Sequence, residues 1–196
     1  MKMSHGKAFF VICALAISLA VGVVPAAATP LEQWASTVID FSSYYNLGID
    51  VSYWAAYQAL GAPNTFGYDD YPTAWAPLPE NGSREYITLG YATPVYAAGA
   101  VIRETWGNGF VYQVDVLDLN NVLHTVWTGT DPSLPGAPVD FAVSWPRTAY
   151  LVKGLKIYVN TDHDPYAWEE TDAVKLIGST TRATGSTPAN MLLLTD

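Results

Sequence analysis

The sequence predicts an all-β domain, an antiparallel sandwich or barrel with one short helical segment. Two observations carry this. From Tyr86 onward, short β-branched and aromatic runs are cut at regular spacing by Gly, Pro and Asn turns. Before that point only one stretch carries helix signals, and no internal repeat is visible.

Taken in order, strands are expected over 85–91, closed by the Pro94 region, and over 100–106, ended by Gly107-Asn108-Gly109. The run 110–118 alternates, with Phe110, Tyr112, Val114 and Val116 on one face against Gln113 and Asp115 on the other. Asn120-Asn121 turns the chain into a return strand over 122–128. A Pro/Gly loop over 129–138 then leads to strands over 139–144, 150–160 and 169–177. The helical segment is 52–60, where Ser52 is suited to cap the run from Trp54 and Gly61 with Pro63 stops it. The rest of the chain up to about Pro79 reads as aromatic loop.

The ends read differently. Lys2 and Lys7 precede an uncharged run over 8–24, Pro25 breaks it, and Ala26-Ala27-Ala28 offers the small residues that signal peptidase needs. A signal peptide over 1–28 is therefore expected, with a secreted, periplasmic or cell-surface domain over 29–178. The competing reading is an uncleaved anchor, since the run approaches the roughly 20 residues that span a bilayer. The Ala-rich exit favours cleavage and hence no membrane insertion afterwards. Cleavage removes Cys13, the only cysteine, so no disulfide is expected, and 168 of the 196 residues remain to build a core. Cysteine-free export points to a bacterial source. Residues 179–196, rich in Ser, Thr, Gly, Ala and Pro, read as a flexible tail. Within it, Thr187 to Leu194 resembles the beginning of an exosortase sorting signal, without its transmembrane stretch or Arg cluster.

Charge narrows the partners. Without Lys2 and Lys7, seven of the nine basic residues stand against eighteen acidic ones, a formal charge of −11. Such a surface repels phosphate backbones and anionic lipid, which argues against nucleic acid. Neutral ligands, or ligands bridged by a divalent cation, suit it better. Catalytic chemistry has little to work with, and the reading is a non-enzyme. After cleavage there is no Cys, no Gly-x-Ser-x-Gly elbow and no His-Glu-x-x-His helix, and the histidines are His124 and His163. Glu169 and Glu170 are strand neighbours and point to opposite faces, so they cannot pair with each other as a glycosidase would require.

Two acidic stretches invite a calcium reading. Asn160-Thr161-Asp162-His163-Asp164 begins like a calcium loop, but Pro165 and Thr171 stand where an EF-hand needs Gly and Glu, and a solvated turn fits better. Asp70-Tyr71-Pro72-Thr73-Ala74-Trp75 sets a carboxylate and a hydroxyl three residues apart on a turn, where both can face one cation, with Glu170 able to complete the shell. The alternative there is a turn capped by Thr73 with Trp75 in the core.

The run from Ser52 to Asn64, the Asp70 to Trp75 turn, Pro94-Val95-Tyr96, Ile102-Arg103-Glu104-Thr105 and the ending Trp168-Glu169-Glu170-Thr171-Asp172-Ala173-Val174 together resemble the galactose-binding-like, or discoidin-like, β-sandwiches. The ending is similar to the closing strand of a subgroup found in bacterial exported proteins and pappalysin-like proteins. The resemblance spans Ser42 to Gly178 and implies a jelly-roll sandwich of about eight strands with binding loops at one end. It also implies a structural calcium held by Asp70, Thr73 and Glu170. Glu169, Thr171 and Lys175 depart from the pattern, as does Tyr68-Asp69 before the turn.

A sugar needs an aromatic platform and a few polar groups. The candidates are Trp106 beside Asn108 on the Gly-rich turn, Tyr68 and Tyr71, Trp145, and Tyr166. The expectation is a secreted, non-catalytic module that binds carbohydrate or exopolysaccharide, with calcium as the cofactor. The alternative is a structural or protein-interaction domain of the envelope or matrix, partnered by an extracellular protein.

Overall fold

Alternating apolar residues with long-range partners dominate the computed structural model, which describes residues 29–46 and 52–182. The expected signal peptide and nearly all of the expected tail lie outside them. Eight strands follow one another: β1 (Leu31–Trp34), β2 (Thr37–Phe41), β3 (Arg84–Trp106), β4 (Val111–Asp118), β5 (Leu123–Thr128), β6 (Val139–Ser144), β7 (Val152–Asn160) and β8 (Glu170–Ser179). Every pairing is antiparallel, and they form two layers ordered β1-β8-β3-β6 and β2-β3-β7-β4-β5. Among the described residues no helix is long and apolar enough to cross a membrane.

β3 belongs to both layers. Arg84 to Val95 pairs with β7, and Tyr96 to Trp106 pairs with β8. This corrects the expectation of two strands split at Pro94. Between Gly90 and Val95 the register with β7 slips, and the strand bends there from one sheet into the other. Pro94 falls inside the bend, where its missing N–H takes nothing from either ladder. The Gln33 side-chain amide secures the bend, donating to the Thr93 carbonyl at 2.6 Å and accepting from the Thr93 N–H at 3.1 Å. The chain also passes from one sheet to the other between β1 and β2, with the Ala35 N–H on Val174 and the Ser36 N–H on Gly90.

The core lies between the layers. Ile87 and Leu89 of β3, Val114 and Val116 of β4, and Leu155, Ile157 and Val159 of β7 face Ala100 and Ile102 of β3 and Val174 and Leu176 of β8. A bulge between Val111 and Gln113 shifts the start of β4, so Val111 enters the core and Tyr112 does not. Tyr112 stands instead beside Tyr158, against the simple alternation expected for 110–118. The expected helical segment shrinks to a 3-10 turn, Ala56–Ala59, with Ala55 at its N-cap and no side-chain cap. Trp54, at φ +52, adopts a left-handed backbone that a helix cannot continue through.

Ile157 is fully buried on a central strand. Ile157→Ala should therefore destabilise the domain by about 2–5 kcal/mol, which at this size lowers the melting temperature by roughly 5–15 °C. Tyr166→Ala, at a side chain 89% exposed, should leave it nearly unchanged. Thermal unfolding by circular dichroism compares the two, and equal effects would contradict this placement of the core.

Candidate functional site

Register places four connections at one end of the sandwich. Arg84 opposes Asn160, Val111 opposes Val159, Trp106 opposes Glu170, Gln113 opposes Thr128 and Glu104 opposes Val139. The segments 42–46 and 52–83, 107–110, 129–138 and 161–169 therefore gather there. Except for Trp145, the residues expected to bind ligand or metal lie at this end.

Asp70 and Glu170 meet, although 99 residues of chain separate Tyr71 from Glu170. The Trp54 indole N–H donates to Asp70 Oδ1 at 2.7 Å and to Glu170 Oε1 at 3.2 Å, bridging the two carboxyls. The Tyr71 backbone N–H and the Thr105 hydroxyl also donate to Glu170, at 3.2 and 3.3 Å. Glu170 has no exposed surface, and burial followed by the neighbouring Asp70 pushes its carboxyl up to about 9. Thr73 stands apart: it is exposed, and its hydroxyl pairs with Thr65 Oγ1 at 2.7 Å. Trp75 is core, joined to Thr171 by two backbone bonds of 2.9 Å. For a hard cation the two carboxylates suit in charge and donor type. The Trp54 indole would have to yield its place between them, and the Thr73 side chain is directed elsewhere.

The aromatic residues divide. Tyr68 and Trp106, each half-buried, pack with ring centroids 4.7 Å apart at 56°. Backbone N–H groups of Gly136, Gly107 and Asn108 lie on the side of the Tyr68 phenolic oxygen, so this ring sits between two loops. Tyr71 is exposed at 40% on the neighbouring turn. Asn108 is 1% exposed, and its Nδ2 donates to the Leu134 and Ala137 carbonyls at 3.1 and 2.8 Å. That amide holds the 129–138 loop in place. Gly107, at φ +65, permits the close turn, since a Cβ there would lie 2.6 Å from the Trp168 carbonyl. The carboxylates of 160–164 serve turns, with Asp162 accepting from the Gly82 N–H at 2.8 Å and Asp164 from the Tyr166 N–H at 3.0 Å.

Sequence reasoning missed a set of buried acids at this end. Glu104 has no exposed surface, and burial followed by Asp131 pushes it up to about 10. Glu169 is equally buried and is pushed up to about 8 by burial, while its neighbour Glu170 has wholly different partners. Asp172 fastens the 64–65 backbone, accepting from the Asn64 and Thr65 N–H groups at 3.0 and 3.2 Å. One signal was present: Glu104 continues the inward alternation of Ala100 and Ile102, which places an acid at a core position.

These shifts fix a pH dependence. Glu104, Glu169 and Glu170 are raised from 4.5, so the native state keeps protons that the unfolded chain releases. The stability they contribute is full below the unfolded value and is lost as pH climbs through 8 to 10. With chelator present, the melting temperature should peak near about pH 5 and decline steadily into the alkaline range. A midpoint that rises between neutral and alkaline pH would show these carboxyls to be ionised in the native state.

No family model matches the chain, and no curated protein matches it. Solved structures do resemble it. Allantoicase from Saccharomyces cerevisiae aligns with a TM-score of 0.50 and 10% identity over 72% of this chain, which is 39% of the allantoicase chain. Reduced XRCC1, bound to the DNA polymerase β catalytic domain, aligns with a TM-score of 0.50 and 15% identity over 74% of this chain and 98% of that one. A truncated AlyQ with CBM32 and alginate lyase domains aligns at 0.48 and 17% identity, over 82% of this chain and 36% of that one. The chain thus spans well under half of the allantoicase and AlyQ chains. At such identities the likeness is one of fold, and the domain is a β-sandwich of galactose-binding-like architecture.

Proposed function

We propose that this domain is a secreted, non-catalytic binding module that holds a carbohydrate, such as an exopolysaccharide chain, at its loop end. The observation that carries the reading is the Tyr68–Trp106 pair, half-exposed and held ring against ring between two loops. Sugars present apolar C–H faces to aromatic rings, and a platform already fixed in place loses little freedom on binding. Further exposed aromatic side chains lie on segments of the same loop end: Phe66 at 76%, Tyr71 at 40% and Tyr166 at 89%. A polar rim without such rings would favour the structural alternative. The acidic surface favours neutral glycans. Asn108, being buried, supports the platform by fixing the 129–138 loop.

The Asp70 and Glu170 carboxylates would hold a calcium ion at the base of the turn that carries Tyr71. There the ion would neutralise two like charges and stiffen the loop end. This chain's own part is to hold the Glu170 carboxyl in place beside Asp70, through the Tyr71 N–H and the Thr105 hydroxyl.

A second reading rests on the β2 edge. Ile39 and Phe41 are 48% and 38% exposed there, beside an apolar cleft of about 260 Å³ lined by Val38, Phe41, Tyr44, Ala55, Ala56 and Tyr57. An exposed apolar edge suits an extracellular protein partner. If that reading holds, Phe41→Ser and not Trp106→Ala should release the protein from cell-envelope fractions.

Gel retardation in a panel of neutral and acidic polysaccharides tests the carbohydrate reading. Trp106→Ala should weaken binding by roughly tenfold or more while the fold persists. A panel that never retards the protein, or a Trp106→Ala variant that binds equally well, would end this reading. For calcium, saturating ion should raise the melting temperature by about 5–10 °C over chelator, and Glu170→Gln or Asp70→Asn should shrink that rise. Identical melting with and without calcium would remove the ion from the proposal.

A further inference from the structure

Glu104 and Asp131 form a second buried pair, separate from Asp70 and Glu170 and from the aromatic platform. Glu104, the last inward residue of β3, has no exposed surface, and Asp131, 3% exposed, reaches it from the 129–138 loop. One oxygen of each is accounted for. The Gly109 N–H donates to Glu104 Oε2 at 2.8 Å, and the Ser133 N–H donates to Asp131 Oδ1 at 2.9 Å. The remaining oxygens, Glu104 Oε1 and Asp131 Oδ2, are buried without a partner. So is Oδ1 of Asn108 in the adjoining turn, although its Nδ2 is doubly bonded to the same loop.

Among the described residues, no cationic group is hydrogen-bonded to either carboxyl. A buried pair of acids this close needs its charge neutralised. A shared proton would join the two carboxyls through one O–H···O bond and leave the Asn108 oxygen bare. A hard divalent cation takes about six to eight oxygens at roughly 2.3–2.6 Å and can draw on carboxylate, amide, hydroxyl and water together. A cleft of about 150 Å³ reaches the Asp131 side of the pair, lined also by Gly109, Asn160 and His163.

We propose that Glu104 and Asp131, with the Asn108 side-chain oxygen, bind a divalent cation of the calcium class that ties the 129–138 loop to the 107–110 turn. Among the described residues no three acidic, His or Cys side chains group as a metal site, so this one relies on two carboxylates and neutral oxygens. Few charges make for weak binding, in the range of about 10⁻⁴ to 10⁻³ M seen for extracellular modules.

The test uses the full chain carrying Glu170→Gln, so that the Asp70 pair contributes no second carboxylate. Equilibrium dialysis against calcium should find one bound equivalent, and adding Glu104→Gln should abolish it. Calcium should also slow proteolytic cleavage within 129–138 by roughly tenfold at ten times the dissociation constant, an effect lost in Asp131→Asn. Asp131→Asn provides the same dialysis readout if the Glu104 variant fails to fold. The proposal is overturned if the Glu170→Gln chain binds no calcium at millimolar concentration, or if Glu104→Gln leaves binding intact. Failure of the Asp70 site alone would show as equal binding by the unaltered and Glu170→Gln chains.

Discussion

One strand holds the two layers together. β3 leaves the loop end in the first sheet, bends between Gly90 and Val95, and returns to the same end in the second. Its 23 residues are hydrogen-bonded to β2 and β7 on one limb and to β6 and β8 on the other. The bend decides which side chains face each other across the core. It also brings the end of β3 back to the loops, so that Glu104, Thr105 and Trp106 lie beside segments that begin near Asp70 and near Asp131. A break at that bend would separate the layers and the loop end together.

The loop end concentrates buried polar groups where a sandwich normally ends in solvent. Glu104, Glu169 and Glu170 have no exposed surface, and Asp131 and Asp172 have almost none. Charge in such surroundings is expensive unless it is hydrogen-bonded or neutralised. Backbone N–H groups from Tyr71, Gly109, Ser133, Asn64 and Thr65 answer part of that need. Each of these bonds also fastens a loop to a strand. The acids therefore act as staples, replacing the disulfides that a cysteine-free domain lacks.

The same staples fix the aromatic pair at the loop end. The Tyr68 ring packs on Trp106, while its oxygen reaches the 107–108 turn and Gly136. The pair is thus set by the protein's own contacts beneath it. Asn108 and Gly107 contribute from below, the first by holding the 129–138 loop and the second by letting the turn approach Trp168. Residues with no access to solvent can in this way control residues that have it.

The sequence by itself determined the all-β class, the strands from β4 to β8 within a few residues, and the Gly107-Asn108-Gly109 turn. Those features are local: alternation and turn chemistry act over neighbouring residues. It did not reveal β1 and β2, whose short runs are strands only because Gly178 and Gly90 lie opposite them, far along the chain. It also split β3, because Gly90 and Pro94 are breakers in any local reading and become a usable bend only when two sheets claim the flanks. The Asp70–Glu170 meeting was legible through family resemblance, but the turning of Thr73 toward Thr65 and the bridging Trp54 were not. Nothing in the sequence pairs Glu104 with Asp131 or buries Asn108. Such contacts join loops distant in the chain, and only the closed sandwich brings their ends to one place.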